Sequence, residues 1–143
     1  MATITSNNAV FTLTIPLVFP TPQRLQGFSV EDIFSTEPIK AAETQMGVDG
    51  ILSGGFVFTE TKQSITLEAN SASNDIFDAW WQAQQTLGDL YTCYGSVSIN
   101  AIRKRWDMQN GFLTMYPPIP DAGKVLKPRK YEITWNQMIA VPY

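Results

Sequence analysis

Carboxylates are the first residues to test for chemistry, because this chain contains no histidine. Glu60 and Glu68 fall on one expected hairpin, and Asp75 and Asp78 share one expected helix. Two carboxyl groups flanking a bond can serve as general acid and as base or nucleophile, the arrangement that hydrolyses glycosides. Each of these four acids reads better as an ordinary solvated group on a polar face. Without histidine, neither Ser-His-Asp nor Cys-His catalysis nor a His-bearing zinc site can be built. The single cysteine, Cys93, excludes an internal disulfide and a thiolate metal cluster, and fits a reducing compartment. The expectation is a protein that is not an enzyme and holds no cofactor or metal.

Two further stretches invite a chemical reading. GVDGILSGG (47–55) is glycine-rich but lacks the Lys-Ser/Thr of a phosphate loop, and no helical pattern follows it. It reads as a flexible loop. RKRW (103–106) and KVLKPRKY (124–131) carry bases for phosphates, with Trp106 and Tyr131 available for stacking. A sequence pI near 4.8 opposes a dedicated nucleic-acid binder, so an acidic protein contact is the better reading.

The elements that must position these residues are mostly strands. YTCYGSVSINA (91–101) alternates, with Tyr91, Cys93, Val97, Ile99 and Ala101 on one side and Thr92, Tyr94, Ser96, Ser98 and Asn100 on the other. ITLEA (65–69) alternates likewise, with GGFVFTE as its partner through Thr61, Lys62 and Gln63. AVFTLTI (9–15), QRLQGFSVEDIF (23–34), NGFLTMY (110–116) and KYEITWN (130–136) are further strands. The pattern predicts a mainly β fold: an antiparallel sandwich or barrel of about six or seven strands with one flanking α-helix.

That helix lies in SNDIFDAWWQAQQ (73–85), where Ser73 or Ser71 can cap the free amides, Asp75 suits the first turn and Gly88 is the stop. Ile76, Trp80, Ala83 and Leu87 form the expected core stripe, flanked by Phe77 and Trp81. Neighbouring helix positions differ by about 100°, so Trp80 and Trp81 cannot share one core. Trp81 needs separate cover, from a nearby loop or from another subunit.

Composition points the same way. Charged residues make up 16%, against about 25% in an average soluble protein, which fits a surface partly covered by partners. Net charge is −3, but residues 1–102 hold ten acids and three bases while residues 103–143 hold seven bases and three acids. The segment MATITSNNAVFTLTIPLVFPTP has no basic residue before its apolar stretch, which Thr12, Thr14 and Pro16 interrupt, so neither a signal peptide nor a membrane span is expected. Two connections stand out: STEPIKAAETQMGVDGILSGG (35–55), with little strand patterning, and the proline- and base-rich YPPIPDAGKVLKPR (116–129). A single domain spanning 1–143 is expected.

The arrangement ITLEANSASNDIFDAWWQAQ followed by YGSVSINAIRKRWDMQNGFLTMYPPIPDAGKVLKPRKYEITW resembles the phage tail tube family, the inner tubes of contractile tails. The resemblance covers roughly residues 46–136, including GVDG and the LEAN-to-helix junction. It implies a virion structural protein, made in host cytoplasm, whose hexameric rings stack into a tube that conducts DNA during ejection. The implied partners are further copies of itself, sheath, baseplate and tape-measure proteins, and DNA passing through without specific binding; no membrane insertion is implied.

Within that resemblance, a long extended loop at about 36–53, with Glu37, Lys40, Glu43, Met46 and Asp49, would reach into the next ring. Phe77 and Trp81 are expected at a subunit interface, with Lys127, Arg129 and Lys130 steering a head-to-tail contact onto an acidic surface. Ser96, Ser98, Asn100 and Thr114 are lumen-facing candidates, because a surface free of bases would not retard DNA. Baseplate initiators, terminators and secreted tubes of related injection systems are near variants. A monomeric β-sandwich binding a ligand or carbohydrate is the alternative from another class, with a glycosidase using Glu60 or Glu68 more remote.

Overall fold

The computed structural model describes residues 9–28, 34–56 and 58–142. In chain order the elements are β1 (Ala9–Ile15), β2 (Phe19–Arg24), β3 (Phe34–Thr36), β4 (Ala42–Met46), β5 (Leu52–Phe56), β6 (Thr61–Leu67), α1 (Asn74–Leu87), β7 (Cys93–Ile99), β8 (Lys104–Met115) and β9 (Arg129–Pro142). The mainly β expectation holds. Seven strands form one antiparallel sheet in the order β2-β1-β7-β8-β9-β6-β3, and β4-β5 stand apart as a two-stranded hairpin.

The sheet curls toward closure. After β2, the chain crosses so that Phe28 bridges to Leu67 and the Glu68 N–H donates to the Gly27 carbonyl at 2.8 Å. Phe11 of β1 meets Phe34 of β3 edge to face, with centroids 5.8 Å apart. The enclosed core holds Phe11, Leu13 and Ile15 of β1, Ile65 and Leu67 of β6, Cys93 and Val97 of β7, and Tyr131, Ile133 and Trp135 of β9. These are alternate residues along each strand, as a half-buried sheet requires.

Trp135 is the centre of that core, and two glycines make room for it. A Cβ on Gly111 would lie 2.5 Å from the indole ring, and one on Gly95 would lie 3.1 Å from it. Asn110, at φ 50°, sits in a β8 bulge where the pairing with β7 shifts. The extra residue switches side-chain parity, so that Gly111 and Leu113 face the core and Phe112 and Thr114 face outward.

Several strand boundaries differ from expectation. Thr61, Lys62 and Gln63 are not a turn but the start of β6, because Thr61 and Gln63 are buried in register with β9. GGFVFTE does not pair with ITLEA; Leu52–Phe56 pairs with β4 instead. In QRLQGFSVEDIF only Gln23 and Arg24 continue β2, Phe34 opens β3, and residues 29–33 lie outside the described part, as does the side chain of Ala101. The strands expected at 110–116 and 130–136 belong to a longer β8-β9 hairpin reaching back to Lys104 and on to Pro142. No helix of the described residues is long and apolar enough to cross a membrane.

Candidate functional site

The helix is pinned to the sheet by a mixed aromatic and ionic cluster. Arg129, at the start of β9, points inward with its side chain only 6% exposed and donates to Asp78 Oδ1 at 2.9 Å and to the Pro117 carbonyl at 2.7 Å. The Tyr116 hydroxyl donates to the same Asp78 oxygen. The guanidinium also lies 5.6 Å from the Tyr116 ring centroid and 5.3 Å from that of Tyr131, within cation–π range. Tyr131 stacks on Phe77 at 4.1 Å and donates its hydroxyl to Asn74 Oδ1 at 2.8 Å. Asn74 in turn donates to the Glu68 carbonyl at 2.9 Å.

These contacts shift four ionisable groups. Burial pushes Asp78 up, but hydrogen bonds from Arg129 and Tyr116 outweigh it and hold the carboxyl below its ordinary value. Burial disfavours the Arg129 cation, yet Asp78 leaves its pKa raised. Burial and the bond to Asp78 raise Tyr116, and burial raises Tyr131. The cluster therefore holds a charged Asp–Arg pair and two neutral phenols across the neutral range.

Trp81 finds its cover here. Asp78 and Trp81, three residues apart, lie on one helix face, and Tyr116 takes both: its ring stacks on Trp81 at 5.3 Å with planes 17° apart. Trp81 keeps 39% of its surface exposed, so the loop after β8 covers one side and leaves the other open. Phe77 is a correction. Expected at a subunit interface, it is fully buried within its own chain because the core stripe is Asn74, Ile76, Phe77, Trp80 and Gln84. Leu87 leaves that stripe and is exposed, since the chain after Gly88 folds back onto Gln84, whose Oε1 accepts from the Tyr91 N–H at 3.1 Å. Gly88 does end the helix, in the left-handed region. No side chain caps the other end: Ser73 Oγ accepts instead from the Gln26 N–H at 2.8 Å.

The Glu60/Glu68 pair separates. Glu60 precedes β6 and Glu68 follows it, which at about 3.3 Å per residue puts them over 20 Å apart. Asp78 is committed to Arg129 and Tyr116. Cys93 is buried, and burial raises its thiol pKa.

The basic trio Lys127, Arg129 and Lys130 divides into three environments. Lys127 is exposed in the 117–128 loop, Arg129 is internal, and Lys130 sits on the outer face of β9. Arg129 is thus corrected from an interface charge to an internal one.

The lumen candidates Ser96, Ser98 and Thr114 share that outer face. Cross-strand register continues it through Thr12 (hydroxyl 2.7 Å from Ser96 Oγ), Asp107, Arg105, Thr134, Glu132, Lys130, Ser64 and Lys62. Asn100 is outside the strand, in a 3-10 turn. The expectation of a face without bases is corrected: Lys62, Arg105 and Lys130 lie on it. They are interspersed with acids, Arg105 Nε standing 3.3 Å from Asp107.

The segment expected as an unpatterned loop at 36–53 is mostly the β4-β5 hairpin. Its register places Ala42/Phe56, Thr44/Gly54 and Met46/Leu52 on one face and Glu43, Gln45 and Ser53 on the other. Period-two patterning was present but masked by glycines and the short strands. Every residue of both strands is exposed, including Met46. Asp49 Oδ1 shapes the turn by accepting from the Ile51 N–H at 3.1 Å, Lys40 pairs with Glu43, and the Glu37 N–H donates to the Lys62 carbonyl at 2.9 Å.

A curled sheet with one pinned helix and a separate exposed hairpin is a fold shared with chains of known assemblies. The chain is similar in fold to a chain of the PVC extracellular contractile injection system with its sheath/tube terminator in the extended state, at TM-score 0.71 and 12% identity, over 99% of this chain and 98% of that one. A chain of the extended PVC sheath-tube complex matches at TM-score 0.62 and 13% identity, over 99% and 93%. One of the anti-feeding prophage baseplate matches at 0.60 and 11%, over 99% and 98%. The chain belongs to the tail fiber protein gp32 family, whose model matches residues 2–139. No curated protein matches it.

Proposed function

We propose that this chain is a tail tube subunit: a single domain, without catalytic activity, that forms hexameric rings stacked into a conduit for DNA during ejection. The observation that carries the reading is the continuous outer face of the seven-stranded sheet, from Thr12 and Ser96 across to Ser64, hydroxyl-rich and with bases and acids interspersed. A wall of that kind does not neutralise phosphates in bulk, so DNA passes without being held. Fold similarity to chains of sheath-tube assemblies supports it. Sheath, baseplate and tape-measure proteins are the accompanying partners, and the tail of the virion is the location.

Negative-stain electron microscopy of the purified protein across a concentration series tests the proposal. Rings or hollow tubes of uniform width are expected. In assembled tubes, a cysteine at Ser98 should react slowly with a bulky maleimide that cannot enter the bore. Rapid labelling of intact outer walls would overturn the lumen assignment, and monomers or solid fibres at every concentration would overturn the tube reading.

A further inference from the structure

The open face of Trp81 has no role in holding the chain together. Its other face stacks on Tyr116 at 5.3 Å with planes 17° apart, which fixes the indole in one orientation while 39% of the residue stays exposed. Beside it, at the C-terminal end of α1, lies a shallow cavity of about 240 Å³ lined by Trp81, Gln84, Gln85, Gly88, Asp89 and Leu90. That is smaller than a site for a drug-sized ligand, so its occupant is a single small ring.

Gln84 is the informative residue. It is only 5% exposed, and its Oε1 accepts from the Tyr91 N–H at 3.1 Å, which settles which end of the amide is the donor. Nε2 makes no hydrogen bond to the described residues and is not sealed from solvent, so its N–H groups reach out through the cavity that Gln84 lines. On the rim, Asp89 Oδ1 accepts from the Leu90 N–H at 2.8 Å, leaving Oδ2 to accept from a ligand. Gln85, exposed, adds one further donor and one further acceptor.

Charge narrows the ligand class. The last turn of α1 carries no basic residue, so the negative end of the helix dipole is uncompensated there and Asp89 adds to it. Anions, nucleic-acid phosphates and uronic acids are repelled. A simple cation would suit Asp89 and the indole, but would meet the Gln84 N–H groups donor to donor. A neutral ring with hydroxyls satisfies every group: it donates to Asp89, accepts from Gln84 Nε2 and lays a C–H face on the negative face of the indole. The rim at Gly88 is open, with nothing within 4 Å of where its Cβ would lie, so a chain of such rings has room to continue.

We propose that this cavity binds a neutral pyranose unit of a glycan, with Trp81 as the stacking platform, Gln84 Nε2 as the buried donor and Asp89 as the acceptor. The site belongs to one chain and does not depend on the tube reading.

Saturation-transfer difference NMR on dilute, unassembled full-length protein tests it, with the methyl pyranosides of glucose, galactose, mannose and N-acetylglucosamine as probes. At least one should bind with a dissociation constant on the order of 1 mM, as suits a small ligand in an open site, and with transfer strongest to the C–H protons of one ring face. Trp81→Ala should weaken it by about tenfold or more and Trp81→Phe should keep part of the binding. Asp89→Asn, which keeps the acceptor for the Leu90 N–H, should weaken it by about three- to tenfold. Circular dichroism checks that each variant is folded. No transfer to any of the four glycosides, or equal transfer in folded Trp81→Ala, would overturn the proposal. If Trp81→Ala then also fails to form tubes, the open indole face is a subunit contact instead. Methyl glucuronoside or methylguanidinium binding as tightly as the best neutral glycoside would overturn the ligand class. Weaker binding of the corresponding disaccharide would overturn the glycan setting in favour of a free sugar.

Discussion

Removing Asp78 is the sharpest perturbation available, because three elements converge on its carboxylate. Asp78→Ala leaves Arg129, 6% exposed, with only the Pro117 carbonyl and two ring faces for its charge, and deprives Tyr116 of its hydroxyl's acceptor. Breaking a fully buried ion pair by deleting one partner costs about 3–5 kcal/mol. Asp78 itself is 41% exposed, so water reaches the gap and the expected loss falls to about 2–3 kcal/mol. For a chain of this size that is a fall of roughly 5–10 °C in Tm. The assay is urea and thermal unfolding of dilute, unassembled protein by circular dichroism, with the double variant Asp78→Ala/Arg129→Met beside it. Methionine fills the arginine's channel without a charge, so the double variant should be no less stable than the single one. A single-variant loss below about 0.5 kcal/mol, typical of an ordinary surface substitution, or strictly additive losses in the cycle, would refute the lock. The pH dependence has a determined sign. A folded-state pKa held down means that Asp78 contributes stability above the ordinary carboxylate range of about 4 and loses it as pH falls further. The phenols of Tyr116 and Tyr131, held up, contribute below about pH 10 and lose it as pH rises beyond. Asp78→Ala should therefore flatten the acid limb of the stability profile specifically.

The adjacent aromatics give a contrast within one helix. Phe77→Ala should cost about 3–5 kcal/mol through the cavity beside Tyr131, whereas Trp81→Ala, stripping a half-exposed stack, should cost about 1 kcal/mol in the monomer, both read from urea midpoints. Gly111→Ala should lose at least 1–3 kcal/mol, the usual range for overpacking (about 1–3), because its Cβ would stand 2.5 Å from the Trp135 ring; wild-type stability in that variant would show that the indole has room to move. Cys93 should resist Ellman's reagent in the folded protein and react fully in urea, its exchange rate following global unfolding.

Alternation in AVFTLTI, YTCYGSVSI and KYEITW was enough to place β1, β7 and the first half of β9, since a half-buried strand writes its two faces into its residues. Gly88 likewise marked the helix end, because a left-handed backbone favours glycine. Composition alone excluded histidine chemistry and thiolate clusters. Tertiary packing decided the rest. Which side of α1 is the core depended on where Tyr131 lies, so Phe77 moved inward and Leu87 outward by a rotation that the helical pattern tolerates equally. Arg129 reads as one more base in a basic run, and only the approach of Asp78, fifty-one residues earlier, turns it inward. The bulge at Asn110, invisible to a period-two reading, set Thr114 on the same face as Ser96. Local patterns are settled by neighbours along the chain; orientation and pairing are settled by residues that meet only when the sheet curls.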